Sequence, residues 1–146
     1  LFIGVEVYLN GIAKVLESIL EFGLKNIMLS NLNGFYFLQA MPYKSIDKIF
    51  LINPDPWVKK RHHKRRLMSP EIMSLLYKLI KSKNSIYMTT DSSGYLRDTI
   101  NLLNEYKDIF ETFSLSILKK NDALYGISKY QRKALENGGK IYLLTF

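Results

Sequence analysis

One segment of the chain combines an acid, an aromatic residue and a run of cations. It reads P-D-P-W-V-K-K-R-H-H-K-R-R over residues 54–66, with Asp55 between two prolines and Trp57 just after them. A carboxylate that is held at a fixed angle suits a reaction site, and arginine and lysine bind phosphates. The segment therefore predicts a reaction site beside a clamp for a polyanion. The clamp would contain six cations within eight residues: Lys59, Lys60, Arg61, Lys64, Arg65 and Arg66.

Each part of this segment also has a plainer structural interpretation. Asp-Pro pairs commonly form rigid turns, Trp57 could pack in a core or offer a base a surface to stack on, and most basic runs are solvated loops or import signals. Phosphate binding is favoured because the run follows an apolar strand and precedes a well-capped helix, which limits its reach. No acid or cysteine clusters with His62 and His63. We therefore expect no metal there, and further donors to phosphate or base instead.

Composition narrows the class of protein. The chain has 146 residues, 47% of them hydrophobic, which suffices for one domain with a real core and is too apolar for disorder. The net charge of +8 favours an anionic partner, nucleic acid first and a membrane surface second. A lysine-rich proteome gives the same charge without a partner, so charge alone does not decide. The absence of cysteine excludes disulfides, cysteine-based zinc sites and thiol nucleophiles.

The chain carries no sign of membrane targeting. No apolar stretch approaches the ~20 residues of a membrane span, and no signal peptide opens the chain. We therefore expect a cytoplasmic protein that does not contact a membrane. Residues 1–7 read as a buried strand and do not begin with methionine. Because natural domains rarely begin inside a core strand, we expect further sequence upstream.

Strand-like and helix-like segments alternate along the chain. Apolar periodicity predicts strands near residues 2–8, 26–32, 46–52, 85–90, 113–117 and 141–146. It predicts helices near residues 11–22, 95–106 and 128–136, and a further helix that starts at Ser69-Pro70-Glu71. Residues 34–41 fit either type, and the basic run reads as a loop. This alternation predicts one α/β domain over residues 1–146 with a mostly parallel sheet.

Polar side chains follow four of the predicted strands. Glu6, Asn33, Asp55 and Asp91 lie at or just past strand ends, and sheets of this class bind ligands beyond those ends. A single acid there is usually a helix cap or a turn former. Four acids or amides at corresponding ends predict one shared crevice, in which Glu6 could accept hydrogen bonds from both hydroxyls of a ribose.

Four motifs, taken in order, resemble those of the bacterial tRNA (guanine-N7-)-methyltransferases. They are F-I-G-V-E at 2–6, the long motif at 54–66, T-D at 90–91 and S-K-Y-Q at 128–131. The resemblance implies a Rossmann-like class I methyltransferase fold, with helices on both faces of a mostly parallel sheet. It also implies transfer of a methyl group from S-adenosylmethionine to N7 of guanine 46 in the variable loop of tRNA.

The resemblance also assigns roles to residues. It implies that Glu6 binds the cofactor ribose, that Asn33 lies near the adenine where an acid is usual, and that Asp55 contacts the cofactor and is the catalytic acid. Substrate contacts are implied for Lys59, Asp91, Ser128, Lys129, Tyr130 and Gln131. RNA contacts are implied for Arg61, His62, His63, Lys64, Arg65 and Arg66.

The chain departs from the family pattern in several places. Ser128 and Gln131 stand where threonine and glutamate are usual, and Val58 where proline is common. The family's glycine-rich cofactor loop lies upstream of F-I-G-V-E, and nothing in the chain replaces it. We therefore expect an N-terminally incomplete domain, with a gap in the sheet between the strand of Glu6 and the strand before Asp55. The alternative is an inactive copy that acts at most as an RNA-binding fragment; monomer and homodimer both stay open.

Overall fold

The computed structural model describes residues 1–83, 85–119 and 128–146. The chain divides into two compact units, Leu1–Pro42 and Tyr43–Phe146. Its strands form two separate sheets, one with two strands and one with four. Organisation as a single domain stays a prediction.

The first unit is a strand-helix-strand-helix sequence. It contains β1 (Phe2–Val5), α1 (Leu9–Glu21), β2 (Ile27–Ser30) and α2 (Gly34–Ala40), and β1 pairs with β2 in parallel. Helix α1 ends at Glu21, and Gly23 just beyond it is a plausible stop signal in the sequence. Gly23 adopts a φ of 61°, which costs glycine little. The ambiguous residues 34–41 form α2, whose first turn is capped by Asn33. No residue of this fully described unit is buried.

The second unit carries a mixed four-stranded sheet. Its order is β3-β4-β6-β5, and β3 is parallel to β4, whereas β6 is antiparallel to both β4 and β5. Three of the four strands therefore share one direction, and their alternation with helices confirms the α/β class. The sheet is mixed, because two of its three pairings are antiparallel. The reversed strand between parallel neighbours was not predicted. The elements are β3 (Ile49–Ile52), α3 (Pro70–Leu79), β4 (Ile86–Thr90), α4 (Ser93–Glu105), β5 (Ser114–Leu118), α5 (Lys129–Glu136) and β6 (Ile141–Thr145).

The core of the second unit lies around the two middle strands of this sheet. Ile86 and Met88 of β4 and Ile141 and Leu144 of β6 are at most 1% exposed. Strand β5 lies at the sheet edge, and its residues 114–117 are exposed on both faces. The alternation of Phe113, Leu115 and Ile117 with polar residues predicts one buried and one wet face for this strand, and that prediction is wrong.

Helix α3 begins as its sequence predicts. The Ser69 hydroxyl accepts a hydrogen bond from the Ile72 amide, and Pro70 occupies the first turn, where its missing N–H costs nothing. A hydrogen bond with the Ser69 side chain lowers the pKa of Glu71. In the described part of the chain, no helix is long and apolar enough to cross a membrane.

Candidate active site

Two exposed carboxylates lie at the same edge of the four-stranded sheet. Strands β3 and β4 are parallel and in register, with Ile52 opposite Thr89. Asp55 follows the end of β3 by three residues, and Asp91 directly follows β4. Both side chains are exposed. The carboxyl ends of β3 and β4, where the sequence predicts a ligand, therefore present two carboxylates that one ligand could contact.

The loop that carries Asp55 has an unusual backbone. Asn53 and Trp57 adopt φ values of 45° and 41°, in the left-handed region that non-glycine residues rarely occupy. Between them, Pro54 and Pro56 have ring-restricted φ angles. Backbone of this kind persists only where the surroundings hold it, and it is frequent at functional sites. Asp55 therefore projects from a rigid loop; we call residues 53–58 the Asp55 loop.

A closed set of hydrogen bonds ties this loop to β4 and α5. The backbone N–H of Asn53 donates to the Thr89 carbonyl (3.1 Å) and to the Thr89 hydroxyl (3.2 Å). That hydroxyl donates to the Asn53 side-chain oxygen (2.8 Å). Gln131 donates from its amide nitrogen to both the Asn53 oxygen (3.0 Å) and the Thr89 hydroxyl (3.1 Å).

The S-K-Y-Q stretch begins helix α5 and faces two ways. Ser128 caps the helix, because its hydroxyl accepts from the backbone N–H of Gln131 (3.2 Å). In return, the Gln131 side-chain oxygen accepts from the backbone N–H of Ser128 (2.9 Å). Lys129 is exposed, and Tyr130 is 77% exposed. Gln131, in contrast, is 1% exposed. Burial places the Gln131 side chain among protein groups, unlike its two exposed neighbours.

The basic run folds as a short 3-10 helix, Lys60–Arg65, and not as the loop that we expected. A 3-10 helix has three residues per turn, so His62 and Arg65 share a side. Both contact Trp57: the Arg65 guanidinium lies 5.0 Å from the ring centroid, and the His62 ring meets it edge-on at 5.7 Å. A third residue of the run, His63, lies within 3.3 Å of the Val58 carbonyl.

Most cations of the run are available to a ligand. Among the described residues, no acid forms an ion pair with the exposed members. Exposed phosphate-binding groups without acidic partners are what a polyanion clamp requires. We call these five residues the exposed cations: Lys59, Lys60, Arg61, Lys64 and Arg65.

Arg66 has different surroundings from the rest of the run. Its side chain is 6% exposed, donates from Nε to the Pro56 carbonyl (2.7 Å) and pairs with Asp98 of α4. Its guanidinium also lies 4.9 Å from the Tyr95 ring centroid. Through these contacts Arg66 joins the Asp55 loop to α4.

Tyr95, whose ring contacts the Arg66 guanidinium, is itself buried. Its hydroxyl accepts a hydrogen bond from the Met68 amide (3.0 Å), and the residue is 1% exposed. Burial raises the pKa of Tyr95, since the phenolate would lose its hydration. The Met68 amide and the Arg66 charge lower it by less.

Glu6 and Asn33 lie at the ends of β1 and β2 in the first unit. The Glu6 carboxylate is exposed and accepts one hydrogen bond, from the Tyr8 amide (2.8 Å). Asn33 is also exposed, and its oxygen accepts from the Phe35 amide (2.9 Å). One carboxylate oxygen of Glu6 and the side-chain oxygen of Asn33 thus accept local hydrogen bonds. The other Glu6 oxygen and the Asn33 side-chain nitrogen have no hydrogen-bond partner among the described residues.

Sequence patterns gave no signal for several residues of the site. Thr89 reads as an ordinary strand residue, and Asp98 as one charge on a helix surface. Asn53 could have been noticed as a polar residue between an apolar strand and P-D-P, because asparagine is the commonest non-glycine residue at positive φ. Within the described ranges, no group of three or more metal-ligating side chains occurs.

Comparison with known sequences places this site in a family context. Residues 1–144 match a family model described as "Putative methyltransferase". A bifunctional methyltransferase of Rickettsia typhi is 34% identical over 135 residues, which cover 92% of this chain and 26% of the relative. The tRNA (guanine-N(7)-)-methyltransferases of Wolbachia pipientis and Aquifex aeolicus are 31% and 34% identical, with 97% and 98% of this chain covered. The chain spans 61% and 47% of their lengths.

Solved structures share the fold. An SAM-dependent O-methyltransferase from Thermotoga maritima matches 98% of this chain and 48% of its own, with a TM-score of 0.54 and 14% identity. A putative methyltransferase from Streptococcus mutans in complex with SAH matches 98% of this chain and 74% of its own, with a TM-score of 0.51 and 10% identity. At these identities the likeness shows the fold, which agrees with the one predicted from sequence.

Proposed function

The chain belongs to the methyltransferase family whose model matches residues 1–144, and we propose that it transfers a methyl group from S-adenosylmethionine to N7 of guanine 46 in tRNA. The observation that carries this proposal is the exposed Asp55 carboxylate on a rigid loop, directly beside the five exposed cations. Relatives named tRNA (guanine-N(7)-)-methyltransferase support the substrate. The chain spans only part of those relatives, so the activity is proposed for the protein that contains it.

The residues at the ends of β1 and β2 fit the cofactor. Glu6 has an exposed carboxylate with one oxygen engaged by the Tyr8 amide, and its other oxygen would accept from the ribose hydroxyls. Asn33 uses its oxygen as a helix cap, so its amide nitrogen would donate to a ring nitrogen of the adenine. When bound, S-adenosylmethionine would supply a methyl group to the lone pair of guanine N7, with its C–S bond breaking to leave S-adenosylhomocysteine; N7 carries no proton, so no general base is needed.

Asp55 would act on the guanine by electrostatics. The base becomes cationic as its N7 is methylated, and a nearby carboxylate stabilises that charge. The same carboxylate accepts hydrogen bonds from the guanine N1–H and amino group, which orients the base. The proline-restricted loop contributes by holding the carboxylate in place before the substrate arrives.

The surrounding residues would grip the RNA. The exposed cations would bind phosphates on either side of a splayed-out base, and the Trp57 ring already carries Arg65 on its face. Lys59 and Asp91 would contact the substrate at the sheet edge. At the start of α5, the cap Ser128, Lys129 and the exposed Tyr130 would do the same, with Tyr130 as a stacking surface.

The direct test is methylation of tRNA by the full-length protein. Labelled S-adenosylmethionine and a tRNA should yield 7-methylguanosine, identified by mass after digestion. The same tRNA with adenosine at position 46 is the control and should stay unlabelled. Label at another position or on another atom would overturn the proposed site. Tight tRNA binding without transfer would support the RNA-binding alternative.

A further inference from the structure

We propose that Gln131 is a positioning residue that acts through Asn53 and Thr89 and does not touch the substrate. These three side chains, of which Thr89 and Gln131 are buried and Asn53 is half-buried, form a hydrogen-bonded lock that sets the spacing of the segments proposed to act on guanine. The role of those segments rests on the proposed function. The lock itself rests on hydrogen bonds within Tyr43–Phe146.

The lock uses nearly every hydrogen-bonding group that its members have. The Thr89 hydroxyl donates once, to Asn53, and accepts twice, from the Asn53 amide and from Gln131. The Asn53 side-chain oxygen accepts from both Thr89 and Gln131. Gln131 donates to two oxygens and accepts from the Ser128 amide. A glutamine amide has only two N–H groups, so none is left for a ligand.

Burial makes this arrangement specific. Thr89 and Gln131 are each 1% exposed, and a buried polar group without a partner is costly. Any other orientation of the Gln131 side chain would leave the Asn53 oxygen and the Thr89 hydroxyl each one partner short. The three side chains therefore have one favourable joint arrangement.

Each member of the lock lies one or two residues from a side chain that is proposed to contact the substrate. Asn53 precedes Asp55 by two residues, Thr89 precedes Asp91 by two, and Gln131 directly follows Tyr130. The members belong to the Asp55 loop, β4 and α5 respectively. A shift of any one segment against the others must therefore break hydrogen bonds of the lock.

The lock also explains how Asn53 keeps its left-handed backbone. A φ of 45° is unfavourable for a residue with a side chain, and surrounding bonds must maintain it. The Asn53 amide is held by Thr89, and its side-chain oxygen by Thr89 and Gln131. Loss of the Gln131 donor would free the start of the Asp55 loop.

The first test is structural and needs no activity. Gln131→Met keeps the length of the side chain and removes its donors. In the 146-residue chain, amide exchange at Asn53 should accelerate about tenfold or more relative to exchange within β6. Unchanged protection of the Asn53 amide would overturn the lock, whatever the protein catalyses.

The second test is a double-mutant cycle on guanine methylation by the full-length protein. Gln131→Met should lower kcat about tenfold and leave KM for tRNA unchanged, because the site is misaligned and no substrate contact is lost. Thr89→Val should do the same, and the double variant should be hardly worse than either single one. Independent, multiplicative losses, or a raised KM for Gln131→Met alone, would overturn the positioning role.

Thr99→Val is the matched control for the loss of a buried hydroxyl. Thr99 is also 1% exposed, and its hydroxyl donates to the Tyr95 carbonyl within α4. It should leave kcat unchanged while lowering the melting temperature about as much as Thr89→Val. An equal loss of kcat for Thr99→Val would show that lower stability alone explains the result, and would overturn the proposal. A wild-type protein that shows no methylation would refute the proposed function, and the exchange experiment would still test the lock.

Discussion

Arg65 and Arg66 are adjacent residues of one type with opposite surroundings. Arg65 is exposed over the Trp57 ring, whereas Arg66 is buried between Pro56, Tyr95 and Asp98. Sequence alone predicted RNA contacts for both, because a basic run carries no signal of which cation turns inward. Only the fold of α4, which brings Asp98 and Tyr95 to this point, separates them.

Replacement of each arginine by lysine should separate these roles. Arg66→Lys replaces the planar guanidinium, which hydrogen-bonds to both the Pro56 carbonyl and Asp98, with a single ammonium group. It should lower the free energy of unfolding by about 2 kcal/mol. Arg65→Lys should change it by no more than about 0.5 kcal/mol, as for other exposed positions. Urea denaturation measures both, and equal losses would contradict the assignment of Arg66.

Tyr95 gives a pH-dependent prediction. Burial raises its pKa in the folded state above the ordinary value of 10.0, so the native protein holds this proton more tightly than the unfolded chain. Its contribution to stability is therefore complete below pH ~10 and is lost as pH rises through the folded-state pKa. Denaturation at pH 9 and above should show a smaller alkaline loss for Tyr95→Phe than for wild type. Tyr43→Phe, at a residue 70% exposed, is the control and should keep the wild-type slope.

At the scale of elements, local signals predicted some structures and missed others. Ser69-Pro70-Glu71 predicted the start of α3 because capping depends on neighbours in sequence. The 3-10 helix of the basic run was missed because its side chains carry no apolar period and its anchors, Trp57 and α4, are tertiary. The reversed β6 was missed because strand direction depends on which neighbours a strand finds, and not on its own residues.

The basic run should set the salt dependence of tRNA binding. Arg61 and Lys64 share one side of the 3-10 helix and are both exposed. If each neutralises one phosphate, Arg61→Gln with Lys64→Gln should flatten the slope of log K against log salt by about 1.4. Filter binding between 50 and 200 mM salt, roughly, would measure it.

A charge-matched pair elsewhere makes that measurement specific. Lys81 and Lys83 pair with Asp47 and Glu111 (3.0 and 2.6 Å). Lys81→Gln with Lys83→Gln removes the same net charge and should leave the slope close to wild type. An equal change in both double variants would mean that overall charge, and not the basic run, governs binding.

At the scale of the whole molecule, the two units differ in how much they bury. The buried residues of the described chain all lie in Tyr43–Phe146. Apolar periodicity predicted a helix near residues 11–22, yet α1 contains no buried residue. Amphipathicity shows which face would be covered and not whether anything covers it. Similarly, the sequence predicted acids past the carboxyl ends of neighbouring strands. It gave no sign of the Asn53–Thr89–Gln131 lock, because the lock joins residues 36 to 78 positions apart in the chain.

This difference predicts an order of hydrogen exchange in the 146-residue chain. Amides of β4 and β6, around the buried Ile86 and Ile141, should open only with global unfolding. Amides of α1 should exchange faster by a factor on the order of 10³, because local opening there exposes no core. Mass spectrometry after brief labelling measures both, and equal protection would refute the predicted order.

The central claim is that Asp55 stabilises a guanine as its N7 is methylated. The decisive measurement is single-turnover methylation of tRNA by full-length Asp55→Asn, beside Asp47→Asn, which removes an exposed acid that pairs with Lys81. The claim predicts that Asp55→Asn lowers the rate about 100-fold with unchanged tRNA affinity, while Asp47→Asn keeps the wild-type rate. A wild-type rate of 7-methylguanosine formation in Asp55→Asn would contradict it.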